Sequence, residues 1–192
     1  MPVFDAITGG YIIPTYVDVF VSQRVSLNPN NLDGKETDPW YEWPSMKPLG
    51  FHPIEQAPKH PVRNKLQETA SYPKWNNPWG IKTPPGYSCL FVQPFHRDSI
   101  FTVLPGVVDT DSYNAAVNFP FALNDWKFEG LIPAGTPMVQ VIPFKRDSWQ
   151  MSIGTEEDAK QQDIIHRTLR SRFFDVYKTT YRYPKIYGFG GI

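Results

Sequence analysis

Phe95-His96-Arg97-Asp98 sets an imidazole and a carboxylate two residues apart. A non-haem iron centre takes two of its three facial ligands at that spacing, and His166 has the chemistry for the third. The same residues also read as a surface loop with a local ion pair. His166 falls on a predicted helix, whereas such triads usually gather inside a β-barrel. His52 and His60 lie eight apart in a proline-rich stretch. With no cysteine or acid at ligand spacing, they read as solvated loop histidines. Cys89 is the one cysteine, so no internal disulfide can form and nothing points to an oxidising compartment. It sits in the apolar run Ser88-Cys89-Leu90-Phe91-Val92. Burial there keeps a thiol protonated, and Cys89 reads as a small buried hydrophobe.

Residues 160–185 hold seven Lys or Arg against two acids. Such a face could meet a phosphate backbone, or could simply be a solvated helix face. Across the chain 19 basic residues balance 19 acidic ones. No global field gathers nucleic acid or an anionic membrane, so nucleic acid is not the expected partner. No apolar stretch approaches the roughly 18 to 20 residues that span a bilayer. Met1-Pro2-Val3-Phe4-Asp5 lacks a basic segment followed by a long apolar one. The expected location is the cytoplasm, or that of a host.

The elements that must position these groups are mostly strands. The 192 residues suit one domain, 1–192, large enough to bury a core without staples. Proline supplies 20 residues, about twice the typical share of roughly 5%. That excludes long helices from most of the chain. Aromatic residues, 29 in all, favour strands and large core contacts. Strands are predicted at 11–14, 16–21, 87–93, 100–104, 107–108, 117–123 and 138–144, with the β core in 1–34 and 81–150. This spacing points to a compact antiparallel sandwich or barrel. Residues 35–80 read as an irregular but ordered excursion that pins its tryptophans onto the core. Thr155-Glu156-Glu157-Asp158 caps an amphipathic helix over 155–180. A glycine-rich tail, 184–192, follows.

Gly106-Val107-Val108-Asp109 through Val141-Ile142-Pro143-Phe144, with Gly130 and Gln140 between, resembles the central hairpin of the trimeric dUTPase and dCTP deaminase fold. The resemblance implies a dUTPase-like, β-clip type of β fold with the helix outside, and a trimer. It further implies that Asp109 activates a water for attack on a phosphate, and that Arg97 and Ser99 grip phosphate oxygens. Tyr113 would pack on the sugar, Gln140 would belong to the substrate site, and Phe189 of the tail would cover the base. Magnesium would bridge the phosphates. Two departures stand in the sequence: Asp98 separates Arg97 from Ser99, and no glutamate lies in 117–123, where the deaminase branch carries its general base. From the residues alone, Asp109 also reads as a turn acid capping its own backbone, and the tail as a frayed terminus.

Over its whole length the chain resembles still more a family of proteins from marine T4-like phages and some bacteria. Pro2 to Pro14, Lys82 to Phe91 and Gln140 to Arg146 carry the likeness. It implies no activity, and it implies that a segment precedes Met1. The expected function is therefore a phage-associated binding or structural module. A nucleotide hydrolase is the alternative and an iron oxygenase the second.

Overall fold

The computed structural model describes residues 2–25, 37–43, 47–53, 72–171 and 175–183. They fall into two compact units. One spans Gly10–Lys145, and the other joins Met1–Gly9 to Arg146–Ile192.

The larger unit is all strand and turn. Its longest strand, β11 (Pro137–Lys145), pairs antiparallel with β1 (Tyr11–Pro14) on one side and with β6 (Tyr87–Val92) on the other; β8 (Gly106–Val108) completes that sheet beyond β6. Four successive residues of β11, Met138 to Val141, are buried. A strand covered on both faces needs a continuous apolar run rather than alternation, and Met-Val-Gln-Val supplies it with one polar exception. Pro143 falls past the reach of β1, which ends its pairing at Val141. There β11 has only β6 beside it, so a missing N–H is tolerated.

A second sheet has the order β10 (Gly130–Ile132), β2 (Val19–Val25), β3 (Thr37–Glu42). The third runs β4 (Leu49–His52), β5 (Tyr72–Trp75), β9 (Phe119–Leu123), β7 (Phe101–Val103). Every pairing is antiparallel. Among the described residues no sheet closes on itself, so the barrel form of the expected architecture is not formed. All three sheets contribute to one apolar core. At its centre Trp75 stacks on Phe121 at 4.9 Å, and Phe101 tilts against both at 5.2 and 5.3 Å. Contacts of this kind add about 0.5–1.5 kcal/mol each beyond burial.

Residues 35–80 differ from the irregular excursion expected. Their described parts include β3, β4 and β5. Prolines are accommodated because Pro39 lies on the edge strand β3. Trp75 is the core's centre, but Trp40 is exposed and carries the Arg24 guanidinium at 4.0 Å over its ring, and Trp79 is exposed too. Residues 54–71, which include His60, lie outside the described ones.

In the smaller unit α1 (Pro2–Ile7) places Asp5 in a buried position. There the Arg182 fork donates to both carboxylate oxygens, Nη2 to Oδ1 at 2.6 Å and Nε to Oδ2 at 3.0 Å. A bidentate pair of this kind fixes both distance and orientation. Helix α2 covers Glu156–Ser171. It begins at a reciprocal cap: the Asp158 N–H donates to Thr155 Oγ1, while Asp158 Oδ2 accepts from both the N–H and the hydroxyl of Thr155. The expected single helix over 155–180 is shorter. Asp175 has φ of 62°, a left-handed conformation that α-helices exclude, and a π-turn at Tyr177–Tyr181 follows.

Two predictions follow from these local geometries. Gly10, between α1 and β1, has φ of +74°, and a Cβ there would sit 1.9 Å from the Val141 carbonyl oxygen. Gly10→Ala should cost at least about 1–3 kcal/mol, read as a lower Tm; an unchanged Tm refutes the close approach. The Thr155 amide and hydroxyl hold the Asp158 carboxyl below its usual range. Its support for the cap is therefore present above the ordinary aspartate pKa and is lost as pH falls through the lowered one. Circular dichroism should show helix loss on acidification, and Asp158→Asn should lose helix at neutral pH and flatten that acid transition. A variant that titrates like the parent contradicts the cap.

Candidate functional site

The loop between β6 and β7 sets His96, Arg97 and Asp98 in exposed positions. It turns at His96, whose φ of 54° is unusual for a non-glycine but is best tolerated by Asn, Asp and His. Two glutamines fasten it. The Gln140 carboxamide, buried in β11, accepts the Phe95 N–H at 3.1 Å. Gln93 Oε1 accepts the Val103 N–H at 2.9 Å, which ties the loop's start to β7. The result is an open cleft of about 510 Å³, lined by Gln93, Phe95, His96, Arg97, Asp98 and Thr102 among others. Gln93 Nε2 is buried with no partner among the described residues. Ser99 does not line this cleft. Its hydroxyl accepts the Phe101 N–H, and its carbonyl accepts from the Asn124 amide.

Asp109 sits elsewhere. It follows β8, and its carboxylate accepts the Ser88 hydroxyl at 2.7 Å. Its carbonyl accepts the amides of Ser112 and Tyr113. Asp111 beside it accepts the Gly86 N–H at 2.8 Å. Buried Thr110 shares a 2.8 Å hydrogen bond with Thr83 and donates to Cys89 Sγ. This turn is thus laced onto the start of β6, and both carboxylates are engaged in it. Burial pushes the Cys89 thiol up, with the Thr110 hydrogen bond opposing, so the cysteine behaves as a buried hydrophobe.

The register of β6 separates the two groups. Val108 faces Cys89 and Gly106 faces Phe91, so Asp109 lies at the Ser88 end. Arg97 lies beyond the Val92 end. Four strand steps of about 3.3 Å each, from Ser88 to Val92, put roughly 13 Å between those ends. Within one chain Arg97 and Gln140 share a neighbourhood. Asp109 and Tyr113 form another, in which Tyr113 is exposed. Phe189 lies outside the described residues.

His52, on β4, edges a different, apolar cavity of about 210 Å³ lined by Phe91, Leu104, Val108, Val117 and Phe119. Among the described residues no three His, Cys, Asp or Glu side chains stand where they could hold a metal ion. His96 and Asp98 belong to the larger compact unit and His166 to the smaller. Among the described residues no helix is long and apolar enough to cross a membrane.

Comparison with protein-family models, with curated proteins and with solved structures finds no match.

Two features escaped the sequence reading. Gln93 looked like the last residue of a strand, and only the fold shows its carboxamide bridging to β7. Trp149, Met151 and Ile153 carry no sequence signal that sets them apart, and only the fold shows all three exposed. Gln140→Leu should leave the Phe95 amide without its acceptor, at a cost of about 1–3 kcal/mol. Hydrogen exchange at Phe95 should accelerate while the 109–113 turn keeps its protection. Unchanged exchange at Phe95 would show that the loop holds without the glutamine.

Proposed function

We propose that this protein is a binding or structural module of the phage-associated class it resembles, built on a β fold of the dUTPase-like, β-clip type and working in the host cytoplasm. One observation carries the reading. Trp149, Met151 and Ile153 are 87, 95 and 94% exposed. A tryptophan, a methionine and an isoleucine left in water at two-residue spacing form the kind of apolar surface that marks an interaction site. The charged groups that chemistry would need support the same reading, since they are dispersed or already used in turns.

A nucleotide hydrolase is the second reading. The favouring observation is that Arg97 lines an open cleft and, among the described residues, makes no ion pair. In that reading Asp109 is the general base and Arg97 and Ser99 hold phosphate. Tyr113 and Gln140 contribute to the pocket and Phe189 stacks on the base. Because about 13 Å of strand separates the two ends within one chain, the site would draw Asp109 from one copy and Arg97 from another, as a trimer allows. Magnesium would arrive on the nucleotide's phosphates with mostly water ligands.

Mass spectrometry of a mixed nucleoside triphosphate panel, incubated with the protein and magnesium, separates the two. The module reading expects an unchanged panel. Loss of one nucleotide that Asp109→Asn abolishes would overturn it in favour of the hydrolase.

A further inference from the structure

The β6–β7 loop brings together two charges that strand geometry would keep apart. Successive residues of an extended chain point to opposite sides. At His96 the backbone instead turns with φ of 54°, and Arg97 and Asp98 both line the open cleft of about 510 Å³. The local ion pair that the sequence allows does not form. Among the described residues neither side chain makes an ion pair or a hydrogen bond.

The wall beside these charges is apolar, formed by Val92, Pro94, Phe95 and Val103. Gln93 lies in the same wall. Its Oε1 is committed to the Val103 N–H, so the amide cannot turn, and its buried Nε2 has no partner among the described residues. A buried donor in that state calls for an acceptor that the chain does not supply. The cleft therefore asks for three things in one ligand: an anionic group with oxygen acceptors, a cationic group and an apolar body. A polyanion would meet Asp98 as a like charge. A wholly apolar molecule would leave both charges unanswered.

We propose that this cleft binds a free α-amino acid with an apolar side chain. Its carboxylate takes the planar Arg97 fork, which suits two oxygens at once, and its ammonium donates to the Asp98 carboxylate. Its side chain lies against the apolar wall. An α-amino acid carries both charges on one small body, within the reach of two adjacent residues of opposite sign. Its carboxylate is also the kind of group that Gln93 Nε2 lacks. This assignment rests on neither reading given above.

Calorimetric titration of the full chain with L-leucine, L-methionine and L-phenylalanine tests this. Saturable binding of at least one, at millimolar concentration or below, is expected. For the amino acid that binds, three analogues should each bind at least about tenfold more weakly: glycine, which lacks the apolar body; the amino-acid amide, which lacks the carboxylate; and the N-acetyl derivative, which lacks the ammonium. Two exchanges then identify the groups. Arg97→Gln should erase the preference over the amide and keep the preference over the N-acetyl derivative. Asp98→Asn should do the reverse. Both residues are exposed, so neither exchange threatens the core. No binding of any of the three amino acids at millimolar concentration overturns the assignment. So does a set of preferences that both variants keep, which would place the ligand elsewhere. Displacement of the amino acid by inorganic phosphate that binds more tightly overturns it too, since Arg97 would then serve phosphate.

Discussion

Strand β11 is the constraint on which the larger unit depends. It is the one strand that joins both ends of the unit's chain order, with β1 on one side and β6 on the other. Met138, Val139 and Val141 feed the core, and the same strand presents buried Gln140 to the β6–β7 loop. The Val141 carbonyl also sets how closely the chain may pass at Gly10. A one-residue slip in β11 would turn Gln140 out of reach of Phe95 and drive its apolar neighbours to the wrong face. Register, core and cleft are therefore one problem with one solution.

The polar residues of this unit are spent largely on structure. Asp109 and Asp111 satisfy a hydroxyl and an amide across the 83–89 segment. Gln23, in β2, donates to the carbonyls of Trp126 and Phe128. Buried Thr15 closes the turn before β11 by donating to the Pro133 carbonyl while its own N–H donates to that of Thr136. In a protein with so many short strands, chain reversals are frequent. Each leaves amides and carbonyls that helices or long ladders would otherwise satisfy, and side chains must supply partners. That demand explains why carboxylates that look catalytic in the sequence are found bonded to neighbouring turns.

The smaller unit is held differently. Its described residues contain one buried bidentate pair, Asp5 with Arg182, and a single buried apolar side chain, Val176. A helix attached to so little core depends the more on its cap at Thr155 and Asp158. The contrast with the core around Trp75, where three sheets share one apolar cluster, separates a unit held by apolar packing from one held by a buried ion pair and a helix cap.

The sequence by itself determined the predominance of strands, through proline and aromatic content, and most strand positions, because short apolar runs bounded by Pro, Gly, Asn and Asp allow little else. It determined the cap at Thr155 and the buried character of Cys89, since both depend on near neighbours. Only the tertiary structure decided that Trp75 enters the core while Trp40 and Trp79 do not, for their local contexts are alike and cross-sheet packing alone differs. It decided that no unbroken helix runs from 155 to 180, since Asp175 adopts a left-handed conformation that apolar spacing does not encode. It decided as well that Arg97 and Asp109 stand at opposite ends of β6. Strand pairing is a contact between residues far apart in the chain, and the distance between two side chains follows from that pairing rather than from their types.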